Sequence, residues 1–492
     1  MASHVLAIDQ GTTGTTVLLI DSRGRVRART YGEIRQYYPR PGWVEHNPDE
    51  IYRSVISLGR QAIAEARLDS REIAAIGIAN QRETFVVWER KGGRPLTPAI
   101  VWQCRRSAEI CDRLRAKEPE ITQRTGLLVD PYFSGTKLKW LLDQHPDLRR
   151  QCERGQACFG TIESWLIYKL SRGEAFVSDF TNASRTLLFN LESRTWDEFM
   201  CRELTVPPRL LPRAIASRGP ICETAPGTIA SRSIPIGGAI GDQQAAMFGQ
   251  RCFNSGDLKA TYGTGAFLLM HTGDRRVYSR NRLLSTIALT KTGEPGFALE
   301  GSVFIAGAAV QWLRDRLGLI DRSSETAALA RRSKRQSQLY VIPAFVGLGA
   351  PYWDSRARGA IVGITPDTNK TDIVRATLDS IAYQVCDVIA ALGTDTGRPV
   401  TELRVDGGAS ANDYLMQFQA DLLQCPVRRP RMVETTALGA AMLAGISAGV
   451  WRDADAPIMA AQGARLFEPR MPVSERDELI AGWHSAVNRV RS

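Results

Sequence analysis

Two stretches far apart in the chain repeat one pattern. "AIDQGTTGTTVLLID" (7–21) runs an apolar segment into a Gly/Thr turn and out into a second apolar segment, and "LKATYGTGAFLLMHTG" (258–273) does the same. A short Gly/Thr turn between two apolar runs is hairpin chemistry. Its recurrence implies a chain that starts over, giving two similar α/β domains that face one cleft. The natural cut lies in "FGQRCFNSG" (248–256), which divides the chain into domains 1–250 and 251–492. At 492 residues, 43% of them hydrophobic, there is material for two cores.

Around the first repeat, apolar segments at 4–9, 15–21 and 25–34 predict three antiparallel strands. Asn47-Pro48-Asp49-Glu50 supplies an N-cap, a first-turn proline and acidic residues, and Ile51, Val55, Leu58, Ala62 and Ile63 follow at helical spacing, so a helix is expected over 48–66. "IAAIGIANQRE" (73–83) is a buried-strand pattern that stops at polar residues. Strand ends in mixed α/β sheets are where ligands sit, which marks Gln81-Arg82-Glu83. In the second half, helices are expected over 303–317, 370–392 and 411–424. "ELRVDGGAS" reads as a strand ending in a Gly pair and "TTALGAAMLAGISAG" as a small-residue helix.

Three turns have the composition of a phosphate cradle: Gly11-Thr12-Thr13-Gly14, Gly263-Thr264-Gly265 and Gly407-Gly408-Ala409. Glycine lets backbone N–H groups approach an anion, and threonine adds a hydroxyl donor. Any one of them is as readily a plain hairpin turn; three at strand ends weaken that reading. The chain has no P-loop, no dinucleotide-binding G-x-G-x-x-G after a strand and no protein-kinase motif set. Asp9, Glu83 and Asp242 are the acid/base candidates. Each site candidate has a plainer role beside it: Asp242, in "GAIGDQQAAMFG", caps a helix equally well, and Arg82 with Glu83 fits an exposed ion pair. Trp102 and Phe267 fit a core, and Tyr132 fits a loop anchor.

Composition excludes other classes. A net charge of +11 allows nucleic acid, but the 63 Lys and Arg are spread along the chain in short clusters such as Arg331–Arg335, which suits anionic metabolites instead. Nine cysteines and five histidines show neither a disulfide framework nor zinc spacing. No leader pattern opens the chain and no apolar run reaches about 18 residues, so no membrane span and a cytoplasmic location are expected.

Taken together, "DQGTTGTT" (9–16), "NQRET" (80–84), "AIVWQCRR" (99–106), "DPYFSGTKLKW" (130–140), "GDQQAAMFGQ" (241–250), "TYGTGAF" (261–267), "AGAAVQWLRD" (306–315), "PAFVGLGAPYWD" (343–354), "GAIVGITPDTNKTDIVRATLDS" (359–380) and "VDGGASANDYLMQFQAD" (406–421) resemble the FGGY carbohydrate kinases, over nearly the whole chain and in family order. The resemblance implies the actin-like ATPase fold, two ribonuclease-H-like domains with ATP and a small polyol between them, and MgATP-dependent phosphorylation of glycerol to sn-glycerol 3-phosphate. Carried over by motif, Arg82, Glu83, Tyr132 and Asp242 bind the glycerol hydroxyls, with Gln243 beside them and Trp102 and Phe267 along the hydrocarbon. Asp242 is the proton acceptor, and Asp9 and Asp242 place Mg²⁺. Thr12, Thr13, Gly14 and Thr264 touch the phosphates, and Gly307, Gln311, Gly408 and Asn412 complete the nucleotide site. Family members are often dimers or tetramers, so a homo-oligomer is expected.

Two positions depart from the family pattern. Thr16 stands where glycerol-phosphorylating members commonly carry Arg, which keeps a donor and loses a fixed charge. The loop "GTIASRSIPIGG" has Ser233, with Arg232 one residue earlier, where regulated members place an arginine for fructose 1,6-bisphosphate; this counts against such feedback. Two other functions compete: an FGGY kinase for another polyol or sugar, and a nonenzymatic actin-like ATPase, which leaves the polyol residue set unexplained.

Overall fold

The structure, a computed structural model, describes residues 2–333, 338–354, 356–454 and 463–491. Lys334 and Arg335 of the basic cluster lie outside the described residues. The chain forms two compact units. Unit 1 takes in Met1–Phe253, Ser285–Phe297 and Thr435–Ala461, and unit 2 takes in Asn254–Leu284, Ala298–Glu434 and Gln462–Ser492. The division is therefore not one cut. It first falls at 253/254, inside the stretch read as a boundary, and then the chain returns twice to unit 1.

Unit 1 is built on a six-stranded sheet in the order Arg218–Glu223, Pro235–Gly241, Ile73–Asn80, His4–Gln10, Gly14–Asp21, Val26–Glu33. The last three form the antiparallel meander that the alternation of apolar runs and turns predicts. Ile73–Asn80 runs parallel to His4–Gln10 on one side and to Pro235–Gly241 on the other. Register is the key fact: Asn80 pairs with both Gln10 and Gly241, so the three parallel strands stop at one level. Past that level the chain runs into Gly11–Thr13, Gln81–Glu83 and Asp242, which share one edge of the sheet.

The expected helix over 48–66 is Pro48–Glu65, with the Asn47 side chain accepting from the N–H groups of Asp49 and Glu50. It buries Ile51, Val55, Leu58 and Ala62 against the sheet. The small-residue helix Thr435–Ser447 belongs to unit 1 although it lies late in the chain. Its composition follows from close packing: a Cβ on Gly439 would lie 1.9 Å from the carbonyl oxygen of Ala245, in the helix Asp242–Gly249.

Unit 2 holds most of a seven-stranded sheet, in the order Leu284–Leu289, Pro295–Val303, Ala266–Gly273, Leu258–Tyr262, Leu403–Asp406, Val427–Pro430, Ala464–Phe467. Leu258–Tyr262 and Ala266–Gly273 form the second hairpin, and Leu403–Asp406 runs parallel to the first of them. The helices here are Gly307–Asp315, Lys370–Thr396 and Asp413–Leu423. The first starts later than the 303–317 pattern suggests because Val303 completes a strand. The second runs past 392 to a left-handed Gly397.

Candidate active site

In unit 1 the three strand ends are joined by polar bonds before any side chain reaches outward. The Gln81 N–H donates to the Gln10 carbonyl at 2.8 Å, and its side-chain amide donates to Gln10 Oε1 and the Gly11 carbonyl, both at 3.1 Å. Thr84 Oγ1 donates to Gln81 Oε1 at 2.8 Å and accepts the Trp102 N–H at 3.1 Å. The Trp102 indole N–H then donates to Thr12 Oγ1 at 2.9 Å. Thr12 is half-buried, Thr13 exposed and Gly14 buried in the first strand pair. Asp9 lies on the strand opposite Thr16 and Ala79, partly exposed.

Arg82 and Glu83 are not an exposed ion pair. Both are buried, and each has its own opposite charge. Arg82 Nε lies 3.3 Å from Asp242 Oδ1, and its Nη1 donates to Gln244 Oε1 at 3.2 Å. Glu83 Oε1 accepts from Arg185 Nε at 2.6 Å, with both side chains almost wholly out of water. Glu83 has φ +61°, and the Thr84 N–H donates to the Arg82 carbonyl at 2.7 Å, a tight turn of a rare and strained kind. The Ser134 hydroxyl holds the Glu83 carbonyl at 2.8 Å. Such strain persists where surrounding bonds over-determine it, and here they do.

Trp102 and Tyr132 meet edge to face with ring centroids 5.6 Å apart, both half-buried. The Tyr132 N–H is fixed by Asp130 Oδ1 at 2.8 Å, and Asp130 is held by Arg105 at 2.7 Å. Behind them Lys137 Nζ donates to the Tyr132 carbonyl at 2.7 Å and reaches the Trp102 carbonyl at 3.4 Å. Burial pushes the Lys137 ammonium down to about 7. Asp242 opens its helix, accepts the Gln243 N–H at 2.7 Å and keeps about a quarter of its side chain exposed. The N-cap is Gly241 and not Asp242, which stands at the first helical position and presents a carboxylate outward, while Gln243 is nearly buried.

Unit 2 holds the other candidates, and there the site is made of backbone. The Gly263 N–H donates to the Gly265 carbonyl at 2.8 Å, closing the turn with Thr264 exposed at its tip. The Gly307 N–H donates to the Gly263 carbonyl at 2.9 Å, and the Ala308 N–H to the Thr264 carbonyl at 3.0 Å, which seats the helix Gly307–Asp315 on the turn. Gln311 is exposed one turn along this helix. Gly408 opens a short 3₁₀ turn and has open space where a Cβ would stand. Asn412 spends its side chain inside the protein, Oδ1 capping Asp413–Leu423 at the Leu415 N–H and Nδ2 donating to Thr326 Oγ1 at 3.0 Å. Phe267 lies on the strand Ala266–Gly273, paired with Thr261, half-buried.

Three residues that organise the unit 1 group are not among the site candidates read from the sequence. Arg185 sits in "TNASRT", Lys137 in "GTKLKW", and Thr181 accepts the N–H of Gly241, the residue before Asp242. Burial marks Arg185 and Lys137, because a charged side chain with no exposure needs a partner. Among the described residues no group of three or more His, Cys, Asp or Glu forms a metal cluster. Arg232, beside the Ser233 departure, is occupied with the carbonyls of Ser70 and Ile73.

Residues 4–249 match the N-terminal domain of the FGGY family of carbohydrate kinases, and residues 258–448 match its C-terminal domain. The chain belongs to this family and has its actin-like ATPase fold. It is 51% identical over 490 residues to the glycerol kinase of Symbiobacterium thermophilum, covering 99% of this chain and 98% of that one. To the glycerol kinase of Geobacillus kaustophilus it is 50% identical over 489 residues, covering 99% of each. The crystal structure of Plasmodium falciparum glycerol kinase with ADP superimposes with a TM-score of 0.92 at 35% identity, covering 99% of this chain and 98% of that one.

Proposed function

We infer that this chain transfers the γ-phosphoryl group of ATP to glycerol, yielding sn-glycerol 3-phosphate and ADP. The observation that carries the reading is the meeting of Arg82 and Asp242 at 3.3 Å on adjacent, in-register strand ends, inside a chain about 50% identical over its full length to proteins named glycerol kinase.

Glycerol has three hydroxyls on three carbons, so selecting it takes several fixed polar partners around a small volume and an apolar side. Arg82 offers donors, Glu83 an acceptor and Tyr132 a hydroxyl, with Gln243 beside them. Trp102 and Phe267 line the hydrocarbon. The Glu83–Arg185 pair and Lys137 keep these groups from adjusting to a differently shaped polyol. Asp242 accepts the proton of the attacking hydroxyl as its oxygen bonds to the γ-phosphorus, and the bond to the β–γ bridging oxygen breaks to release ADP. Gly/Thr turns favour this by aiming N–H groups at the phosphates without a side chain in the way: Thr12, Thr13 and Gly14 in unit 1, and Thr264 in unit 2. Gly307, Gln311, Gly408 and Asn412 take the rest of the nucleotide.

Mg²⁺ is held by one or two carboxylates with water and phosphate oxygens rather than by a full protein cage, and Asp9 with Asp242 fits that donor set. When bound, the ion neutralises phosphate charge. We place the protein in the cytoplasm, in keeping with nine cysteines whose spacing shows no disulfide framework. We also expect a dimer or tetramer, which sizing chromatography tests.

The test is ADP release across glycerol, dihydroxyacetone, erythritol, xylulose and ribulose. Activity with glycerol alone is expected; hydrolysis without any polyol moves the reading to a nonenzymatic ATPase. Asp242→Asn should cut turnover by about 10²–10⁴-fold with nucleotide affinity kept. Near-normal turnover in that variant overturns the role of Asp242.

A further inference from the structure

Behind the sheet edge lies a buried polar cluster that the reaction above does not use. Asp179, with no exposure, accepts hydrogen bonds from Ser217 Oγ at 2.6 Å, Thr181 Oγ1 at 2.5 Å, the Thr181 N–H at 2.9 Å, and Asn182 through its N–H at 3.2 Å and Nδ2 at 2.7 Å. Two branches leave it. Through Asn182, which exchanges two bonds of 3.0 Å with Asn80, it reaches the strand end that continues into Arg82. Through Thr181, whose Oγ1 accepts the Gly241 N–H at 2.8 Å, it reaches the Ile240–Gly241 peptide, one residue before Asp242.

Gly241 is the N-cap of the helix that Asp242 opens. An N-cap N–H is commonly satisfied by a Glu or Gln three residues on that reaches back. Here that residue is Gln244, and its side chain is committed elsewhere, accepting from Arg82 and donating to Thr286 Oγ1 and the Ile287 carbonyl. Position 241 has no room for a side chain of its own either, because a Cβ would lie 2.8 Å from Cγ and Cδ of Arg82. The acceptor must therefore come from another segment, and Thr181 supplies it. A hydroxyl that accepts from one side donates to the other, which requires an acceptor behind it. Asp179 meets that need with an acceptor-only carboxylate. Glu163 lies near and is pushed up to about 7 by burial and by the negative charge of Asp179.

We propose that Thr181 and Asp179 are positioning residues for phosphoryl transfer, fixing the orientation of the Ile240–Gly241 peptide that leads into Asp242 and, through Asn182 and Asn80, of Arg82. The proposal rests on Asp242 being the proton acceptor. With the relay intact the Asp242 carboxylate has one direction; without it the helix start turns and the Arg82 pair loosens. Small misplacement of a reacting group costs turnover far more than affinity.

The experiment compares Thr181→Val, Thr181→Ser and Asp242→Asn in the full chain, reading kcat, glycerol and ADP binding isotherms and the melting temperature. Thr181→Val should lower kcat by about 10- to 100-fold. Both affinities should stay within about twofold, and Thr181→Ser, which restores the hydroxyl, should recover kcat. Wild-type kcat in Thr181→Val overturns the relay. So does loss of kcat and both affinities together without rescue by serine. If Asp242→Asn still turns over, the reading of Asp242 fails; if it is inactive while Thr181→Val is normal, only the relay fails. Should Thr181→Val not fold, Ser217→Ala removes one donor from Asp179 without touching Gly241. It should give a smaller kcat loss at unchanged affinity, and wild-type kcat there overturns the proposal.

Discussion

The two units begin alike and finish differently. Each opens with an antiparallel hairpin around a Gly/Thr turn, and in each the first strand of that hairpin has a parallel neighbour, Ile73–Asn80 in unit 1 and Leu403–Asp406 in unit 2. In unit 1 the turn is tied down by side chains: Gln81, Thr84 and Trp102 link Gly11 and Thr12 to the pair Arg82–Asp242 and the buried pair Glu83–Arg185. In unit 2 it is held by backbone, with Gly263, Thr264, Gly265 and Gly307 joined through their own amides. One frame thus supports two kinds of surface. On the function proposed above, the fixed side chains of unit 1 would select among polyols, and the bare backbone of unit 2 would suit the phosphate groups that every nucleotide carries.

The contrast is broken most forcefully at Arg185. Its guanidinium is wholly buried against Glu83 and lies 5.8 Å and 5.4 Å from the ring centres of Tyr132 and Phe133. Removing one partner of a buried pair leaves the other charge uncompensated, which costs about 3–5 kcal/mol. Arg185→Met should therefore lower the melting temperature of unit 1 strongly and raise the KM for glycerol, with ADP affinity little changed in protein that remains folded. Differential scanning calorimetry and steady-state kinetics would reveal it. A variant with wild-type melting and KM means that the side-chain frame of unit 1 is not what holds Glu83.

A smaller effect tests unit 2. A Cβ at Gly307 would lie 2.6 Å from the Gly263 carbonyl oxygen, so Gly307→Ala must push the helix Gly307–Asp315 off the turn. Overpacking of this kind costs about 1–3 kcal/mol. The expected result is an ADP affinity reduced about tenfold or more, by the usual 1.4 kcal/mol per decade, with the glycerol isotherm unmoved. Loss of glycerol binding instead would erase the division between the units.

Much of the frame is legible in the residues themselves. Hairpins announce themselves by turn chemistry, and Asn47-Pro48 starts its helix where capping rules place it. The strand end at Asn80 is legible because a buried run stops at polar residues. What escapes is long-range. Arg185 meets Glu83 from 102 positions away, and Asp179 reaches Gly241 only through Thr181. Nothing in local periodicity encodes such pairings, since they depend on which strand ends the sheet order brings level. The return of Thr435–Ser447 to unit 1 is hidden for the same reason. Its small residues declare close packing, but not the partner.

The subtlest difference between the units is the sign of their response to pH, set by two histidines. His46 in unit 1 is buried, accepts from the Gln81 amide at 3.4 Å through Nδ1, and is pushed down to about 4 by burial. Its unfolded value is near 6.5, so in the folded chain it binds fewer protons across that window. The stability tied to it is present above pH 6.5 and is lost as pH falls through about 4. His484 in unit 2 is half-exposed and bonded to Asp387, which also accepts from Tyr352 and Trp483. The Asp387 hydrogen bond raises it, so its contribution is complete below pH 6.5 and is lost as pH rises through the folded value. Melting curves of His46→Gln and His484→Gln at pH 5 and pH 8 separate the two. Relative to the unaltered chain, His46→Gln should gain stability on going to pH 5, and His484→Gln should lose it. Parallel slopes for both variants would show that neither histidine feels the surroundings described here, and the buried frame of unit 1 would then be looser than its hydrogen bonds imply.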